Sequence, residues 1–221
     1  MYMHNTIKNL LVIENNIKKH LKKFNININP KIIAVSKTFN IDKILPLIEH
    51  GHIDYGENKV QEANEKWTEV KRKNTKIKLH MIGKLQTNKV KQAVQIFDYI
   101  HSVDSKKLAQ KIAQEQSKIN KKIKIFLQVN IGNENQKSGI NKNEVDQLVS
   151  YCSEVNLDLI GLMCIPPVDA NPENYFAEIN KLNKFQGFNE LSMGMSSDYL
   201  LAIKHSSTYL RIGSNIFGER S

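Results

Sequence analysis

Eight times along the chain a short apolar run, rich in β-branched residues, gives way to a longer amphipathic stretch. This alternation limits the possible folds more than any other feature. The runs predict strands at 32–36, 52–57, 78–83, 99–103, 124–130, 159–165, 190–194 and 209–213. The stretches between them predict helices at 42–50, 60–73, 88–97, 105–119, 143–153, 172–185 and 197–205, with an extra helix at 5–24 ahead of the first strand. In the second of these, Val60, Ala63, Trp67 and Val70 recur at helical spacing. Strict alternation implies a parallel sheet with helices outside it. The runs lack a clean in-out pattern, as strands buried on both faces do. Eight such units are the number that closes a barrel. An open doubly wound sheet is the alternative, but no G-x-G-x-x-G turn follows the first strand. The expected fold is therefore α/β: a single (β/α)8 TIM barrel spanning residues 1–221, with an added N-terminal helix.

Composition excludes several classes. No apolar run approaches the ~18 residues a membrane span needs, and residues 1–24 lack a signal-peptide core. A soluble, cytoplasmic protein is expected, with no membrane partner. Cys152 and Cys164 are too few for a disulfide scaffold, and neither has a ligand partner at metal-binding spacing. No metal is expected. The net charge is +10, with 32 basic and 22 acidic residues. The arginines are Arg72, Arg211 and Arg220 alone, and the other basic residues are lysines spread along the chain. A nucleic-acid reader concentrates its charge and favours arginine for bidentate contacts. No nucleic-acid partner is expected.

In a barrel of this kind chemistry gathers at the C-terminal ends of the strands. The first strand ends at Lys37. A lysine there has apolar walls beneath it, and desolvation favours the neutral amine that Schiff-base chemistry needs. Position alone leaves open a solvated loop lysine. The second strand ends Gly56-Glu57-Asn58, where glycine permits close approach and Asn58 can both donate and accept. In the third, His80 reads as a core histidine satisfied by interior partners rather than a ligand contact, and Thr87 or Asn88 reads as a helix cap. Lys137, after strand five, reads as a loop cation. After strands seven and eight come Ser192-Met193-Gly194-Met195-Ser196-Ser197-Asp198 and Arg211-Ile212-Gly213-Ser214-Asn215. These loops offer the glycines, hydroxyls and free N–H groups that a phosphate takes up in barrels. Ser196 and Ser197 can equally serve as helix caps. Arg211 lies inside a strand of a chain that otherwise prefers lysine, which marks a position needing a planar, fixed donor. A structural ion pair is the other reading.

Several longer motifs resemble the pyridoxal phosphate (PLP) homeostasis protein family. They are Ala34-Val35-Ser36-Lys37-Thr38, then Tyr55-Gly56-Glu57-Asn58-Lys59-Val60-Gln61-Glu62, then His80-Met81-Ile82-Gly83-Lys84-Leu85-Gln86-Thr87-Asn88-Lys89. Lys137-Ser138-Gly139, Gly161-Leu162-Met163, residues 191–198 and residues 211–218 continue the match in the family's order. The resemblance implies the fold-type III barrel shared with the N-terminal domain of alanine racemase. It implies pyridoxal 5'-phosphate as cofactor, covalent on Lys37, with its phosphate on Ser196, Gly213 and Ser214. It puts Arg211 near the pyridine nitrogen, which an arginine keeps unprotonated, and Asn58 against the ring or its hydroxyl. Leu79 and Ser214 depart from the residues usual in the family, an aromatic and a threonine, but Ser214 keeps the hydroxyl.

The resemblance further implies a PLP-binding regulatory or carrier protein, not an enzyme, that keeps PLP and amino-acid and keto-acid pools in balance. It has PLP-dependent apo-enzymes as candidate acceptors. The alternative is an amino-acid racemase or another fold-type III enzyme. A two-base racemase needs an acid/base group on each face of the cofactor, and alanine racemase takes its second base from a further domain that is not expected here. A monomer is expected for the same reason. A Schiff-base aldolase using Lys37 without PLP is a weaker third reading.

Overall fold

In a computed structural model, which describes residues 3–134, 136 and 138–219, the eight apolar runs pair side by side in parallel and close into a barrel. The strands are β1 (Lys31–Val35), β2 (Asp54–Glu57), β3 (Lys78–Met81), β4 (Tyr99–Val103), β5 (Lys124–Val129), β6 (Asp158–Cys164), β7 (Glu190–Ser192) and β8 (Tyr209–Ile212). Strand β1 closes the barrel on β8, with Ile33 opposite Arg211. Around it run α1 (Asn5–Phe24), α2 (Ile41–Glu49), α3 (Val60–Lys73), α4 (Val90–Ile96), α5 (Lys106–Lys118), α6 (Val145–Glu154), α7 (Pro172–Phe185), α8 (Tyr199–Lys204) and α9 (Ser214–Phe217). None of the described helices is long and apolar enough to cross a membrane.

Some helices form where the apolar stripe meets a start signal. Ser105 accepts from the Leu108 N–H and opens α5. A capping box of Asn141 and Glu144 opens a 3-10 turn, Lys142–Glu144, that leads into α6. Asn171 caps α7, with Pro172 at its first position, where a missing N–H costs nothing. Helix α1 buries Leu10, Ile13 and Ile17 and packs against α2, α8 and α9.

Elements α1, α3, α7 and β4 fall at their expected bounds. The remaining differences lie at ends. Strands β3 and β7 stop at Met81 and Ser192, two residues early, because the chain leaves the sheet there to form the mouth loops. The expected cap at Thr87 or Asn88 is not made. Both lie inside a 3-10 turn, Thr87–Lys89, whose flanking residue is Gln86. Helix α8 begins at Tyr199, not 197, and Ser196 and Ser197 do not cap it. The single-turn α9 was not expected at all.

Two layers of core follow from the closed sheet. The larger lies between strands and helices, with Trp67, Phe97, Phe176 and Ile44 fully buried. The smaller lies inside the barrel and shares it with buried polar groups: Ile33, Tyr99, Phe126, Met163 and Tyr209. Glycine is required where β6 meets β7. A Cβ on Gly161 would lie 1.8 Å from the Glu190 carbonyl oxygen.

Candidate functional site

The C-terminal ends of the strands open into a cavity of about 520 Å³. Lys37, Asn58, Ser196, Arg211, Gly213 and Ser214 all line it, beside Val35, Phe39, Ile82 and Ile165. Strand ends far apart in sequence deliver these residues to one place because the barrel is closed. Lys137 lies outside the described residues.

Lys37 sits in a turn held from below and from the side. Thr38, which follows it, has φ +69°. A β-branched residue in this region is strained, so surrounding contacts must fix it. They come from α3. The Thr38 N–H donates to Glu62 Oε1 at 2.5 Å. The Lys66 ammonium donates at 2.9 Å to the Ser36 carbonyl, to Glu62 Oε1 and to Glu57 Oε1. Glu57 is fully buried, and its Oε1 also accepts from Ser36 Oγ and Trp67 Nε1. Burial raises the Glu57 carboxyl, while Trp67 and Lys66 pull it back. Oε2 has no hydrogen-bond partner among the described residues. The turn carrying Lys37 is thus clamped between β2 and α3, and the flexible lysine projects from a rigid base.

Opposite, the two mouth loops are joined at Ser196. Its Oγ accepts from the Gly213 and Asn215 N–H groups at 3.3 and 3.4 Å, and its carbonyl accepts from Asn215 Nδ2 at 2.8 Å. Several donors therefore converge within a hydrogen bond of one another, beside the Ser214 hydroxyl. Gly194 makes the bend before them, at φ +89°, with Ala202 Cβ only 2.6 Å from where a side chain would begin. Gly213 needs no special conformation. A Cβ there would rest 3.4 Å from Val35, also a cavity residue, and would narrow the space between them. Gly56 does not face the cavity directly. The space a Cβ would need is taken by Ile33 and Ile82.

Arg211 is buried at the foot of the cavity. Its Nη1 donates to Ser192 Oγ at 2.8 Å and its Nη2 to the Cys164 carbonyl at 2.9 Å. Both partners are neutral, and no carboxylate pairs with it among the described residues. A fixed, planar cation held by neutral partners is what this position supplies.

Below Arg211 the barrel interior is polar, contrary to the usual packed Val, Ile and Leu. His101 approaches Ser192 Oγ through Nδ1 at 2.9 Å. Its Nε2 is 3.0 Å from His80 Nδ1, and His80 Nε2 is 3.0 Å from Asp54 Oδ1. Both imidazoles are fully buried. Burial lowers both from the ordinary 6.5, with Asp54 opposing the shift at His80, and His80 and Arg211 adding to it at His101, which falls well below. His80 is the satisfied core histidine the sequence suggests. His101, Ser192 and Asp54 were not singled out. The available signal was His101 two residues after Tyr99, on the same face of β4.

The comparisons with known proteins define first a class. Residues 9–221 match the sequence model of the alanine racemase N-terminal domain, and a solved alanine racemase of Clostridium difficile shares the fold, at 17% identity and a TM-score of 0.72 over 98% of this chain and 57% of that one. Curated relatives are more specific. A pyridoxal phosphate homeostasis protein of Pasteurella multocida is 37% identical over 203 residues, 86% of each chain. That of Haemophilus influenzae is 36% identical over 225 residues, 96% of this chain and 95% of the relative. Among solved structures, PipY of Synechococcus elongatus without PLP is 31% identical, with a TM-score of 0.82 over 91% of this chain and all of that one. The same protein with PLP bound gives 0.76 at the same coverage. The chain belongs to the pyridoxal phosphate homeostasis protein family.

Proposed function

We propose that this chain binds pyridoxal 5'-phosphate in the mouth cavity and serves PLP homeostasis and amino-acid and keto-acid balance, as a carrier rather than an enzyme. The observation that carries this reading is the convergence of an amine, a buried guanidinium and a cluster of N–H and O–H donors on one cavity of about 520 Å³. That volume suits a small phosphorylated aromatic ring. When bound, PLP would supply a reactive aldehyde, and Lys37 is the amine that would hold it covalently. Ser196, Gly213 and Ser214 hold the phosphate. Arg211 would face the pyridine nitrogen with a cation that does not give up its proton, which would keep the nitrogen unprotonated and the ring a weak electron sink. Asn58 would lie against the ring. Relatives named for PLP homeostasis, and one solved with PLP, support the ligand and the role.

The non-catalytic reading draws on the cavity lining. Among its described residues the groups that carry or exchange protons are Lys37, Arg211 and Glu219, and Glu219 is exposed. A two-base racemase needs a proton carrier on each face of the ring. Lys37 serves one face. No histidine, tyrosine or cysteine is among the described lining residues to serve the other. The carrier acts as a monomer and releases PLP to PLP-dependent apo-enzymes. The test combines an alanine racemisation assay with transfer of PLP from the loaded protein to an apo-aminotransferase. Transfer without racemisation supports the reading, and turnover at enzyme rates overturns it.

A further inference from the structure

The polar chain inside the barrel has a direction. Arg211 can only donate, so Ser192 Oγ accepts from it. The Ser192 hydroxyl is then free to donate to His101 Nδ1. A neutral His101 bonded there carries its proton on Nε2 and donates to His80 Nδ1. His80 in turn carries its proton on Nε2 and donates to Asp54 Oδ1, which only accepts. Every link is satisfied once, with both imidazoles neutral, and no other neutral arrangement suits a donor at one end and a carboxylate at the other. Rings on either side hold the geometry. His80 stacks on Tyr99 at 4.2 Å, and His101 on Phe126 at 4.4 Å. The chain crosses the barrel, since β4 and β7 are not neighbours in the sheet. It ends in a second cavity of about 460 Å³ at the opposite mouth, lined by Asp54 and His52 of the sheet side and by Glu14 and Lys18 of α1.

Such a chain is costly to bury unless it is complete. A packed Val, Ile or Leu interior would serve stability alone. We propose that Asp54, His80, His101 and Ser192 are positioning residues for Arg211: a one-way hydrogen-bond chain that anchors the guanidinium at the foot of the cofactor cavity and couples it to a carboxylate at the far end of the barrel. The aligned neutral dipoles turn their negative ends toward the buried cation, and the Asp198 carboxylate adds to that field from the mouth side. The part played by Arg211 toward PLP rests on the function proposed above, but the chain itself does not.

The test begins with PLP-free protein. Long-range ¹⁵N–¹H correlation spectra at neutral pH are expected to show His80 and His101 both protonated on Nε2. Asp54→Ala removes the terminal acceptor. Without the carboxylate nothing fixes the direction of the chain, and both rings are expected to show mixed Nε2 and Nδ1 protonation. Asp54→Asn keeps an acceptor oxygen and should retain the Nε2 pattern. In spectrophotometric titrations with PLP, Asp54→Ala should weaken binding by ~3–10-fold, a usual size for coupling between distant sites, and Asp54→Asn should bind as the unaltered protein does. If Asp54→Ala fails to fold, Ser192→Ala cuts the chain at the other end. Affinity for PLP should fall comparably while both rings keep Nε2–H, and Ser192→Thr should restore it. Nδ1 protonation of His101 in the unaltered protein would overturn the proposal, as would variants that leave both tautomers and affinity unchanged. An unaltered protein that binds no PLP would instead remove the proposed function, while the tautomers would still decide whether the chain exists.

Discussion

Lys37 and Arg211 carry different burdens, and substitutions separate them. Lys37 projects from a turn whose bonds are made by Ser36, Thr38, Glu57 and α3 side chains. Lys37→Ala should therefore leave the fold intact, with an unchanged far-ultraviolet spectrum, and abolish borohydride-trappable PLP. Arg211 is built into the core. Arg211→Met leaves the Cys164 carbonyl and the Ser192 hydroxyl without a donor. It should cost about 1–3 kcal/mol in urea denaturation, the usual penalty for such orphaned groups, and weaken PLP binding as well. That the six expected residues would line one cavity was legible because five stand past strand ends and Arg211 one residue short of one, and barrels gather strand ends. The chain from Ser192 to Asp54 was not. Whether His101 meets Ser192 depends on closure of the barrel, which sets β4 and β7 across its interior from one another, and nothing near either residue encodes that contact.

Helix α3 does more than cover the sheet. Lys66 and Glu62, one turn apart on it, reach the loop after β1, while Trp67 and Lys66 hold the buried Glu57. Lys66→Met would leave the Glu57 carboxyl buried without its cation. Breaking a buried pair in this way costs ~3 kcal/mol or more, and a drop of that size in unfolding free energy is expected. Loosening the Ser36 carbonyl should also slow capture of PLP by Lys37, measurable by stopped-flow absorbance. Element positions were readable wherever an apolar stripe met a cap, as in α5 and α7. Ends failed where tertiary contacts took over. Ser196 looks like a cap for α8 in sequence, yet its hydroxyl is drawn to the β8 loop by Gly213 and Asn215. The strained Thr38 gave no local sign either.

The whole barrel carries buried neutral histidines, and this sets its response to acid. Burial lowers His80 and His101 in the folded chain, whereas the unfolded chain titrates them near the ordinary 6.5. Well above that pH both states are unprotonated and the histidines contribute no pH dependence. Below it the unfolded chain takes up protons that the folded chain refuses, so stability falls as pH drops, by up to about 1.4 kcal/mol per pH unit for each histidine. Glu57, raised by burial, works in the opposite sense. Comparison with His101→Gln isolates the histidine share: urea midpoints of that variant should change less between pH 7 and pH 5, pH values chosen to bracket the lower side of the histidine range. The claim on which everything else depends is the anchor. Purified protein loaded with PLP should show a visible Schiff-base band that borohydride bleaches, and peptide mapping should find the reduced pyridoxyl group on Lys37. A protein that shows no such band with excess PLP, or that carries the label on another lysine, would contradict the account.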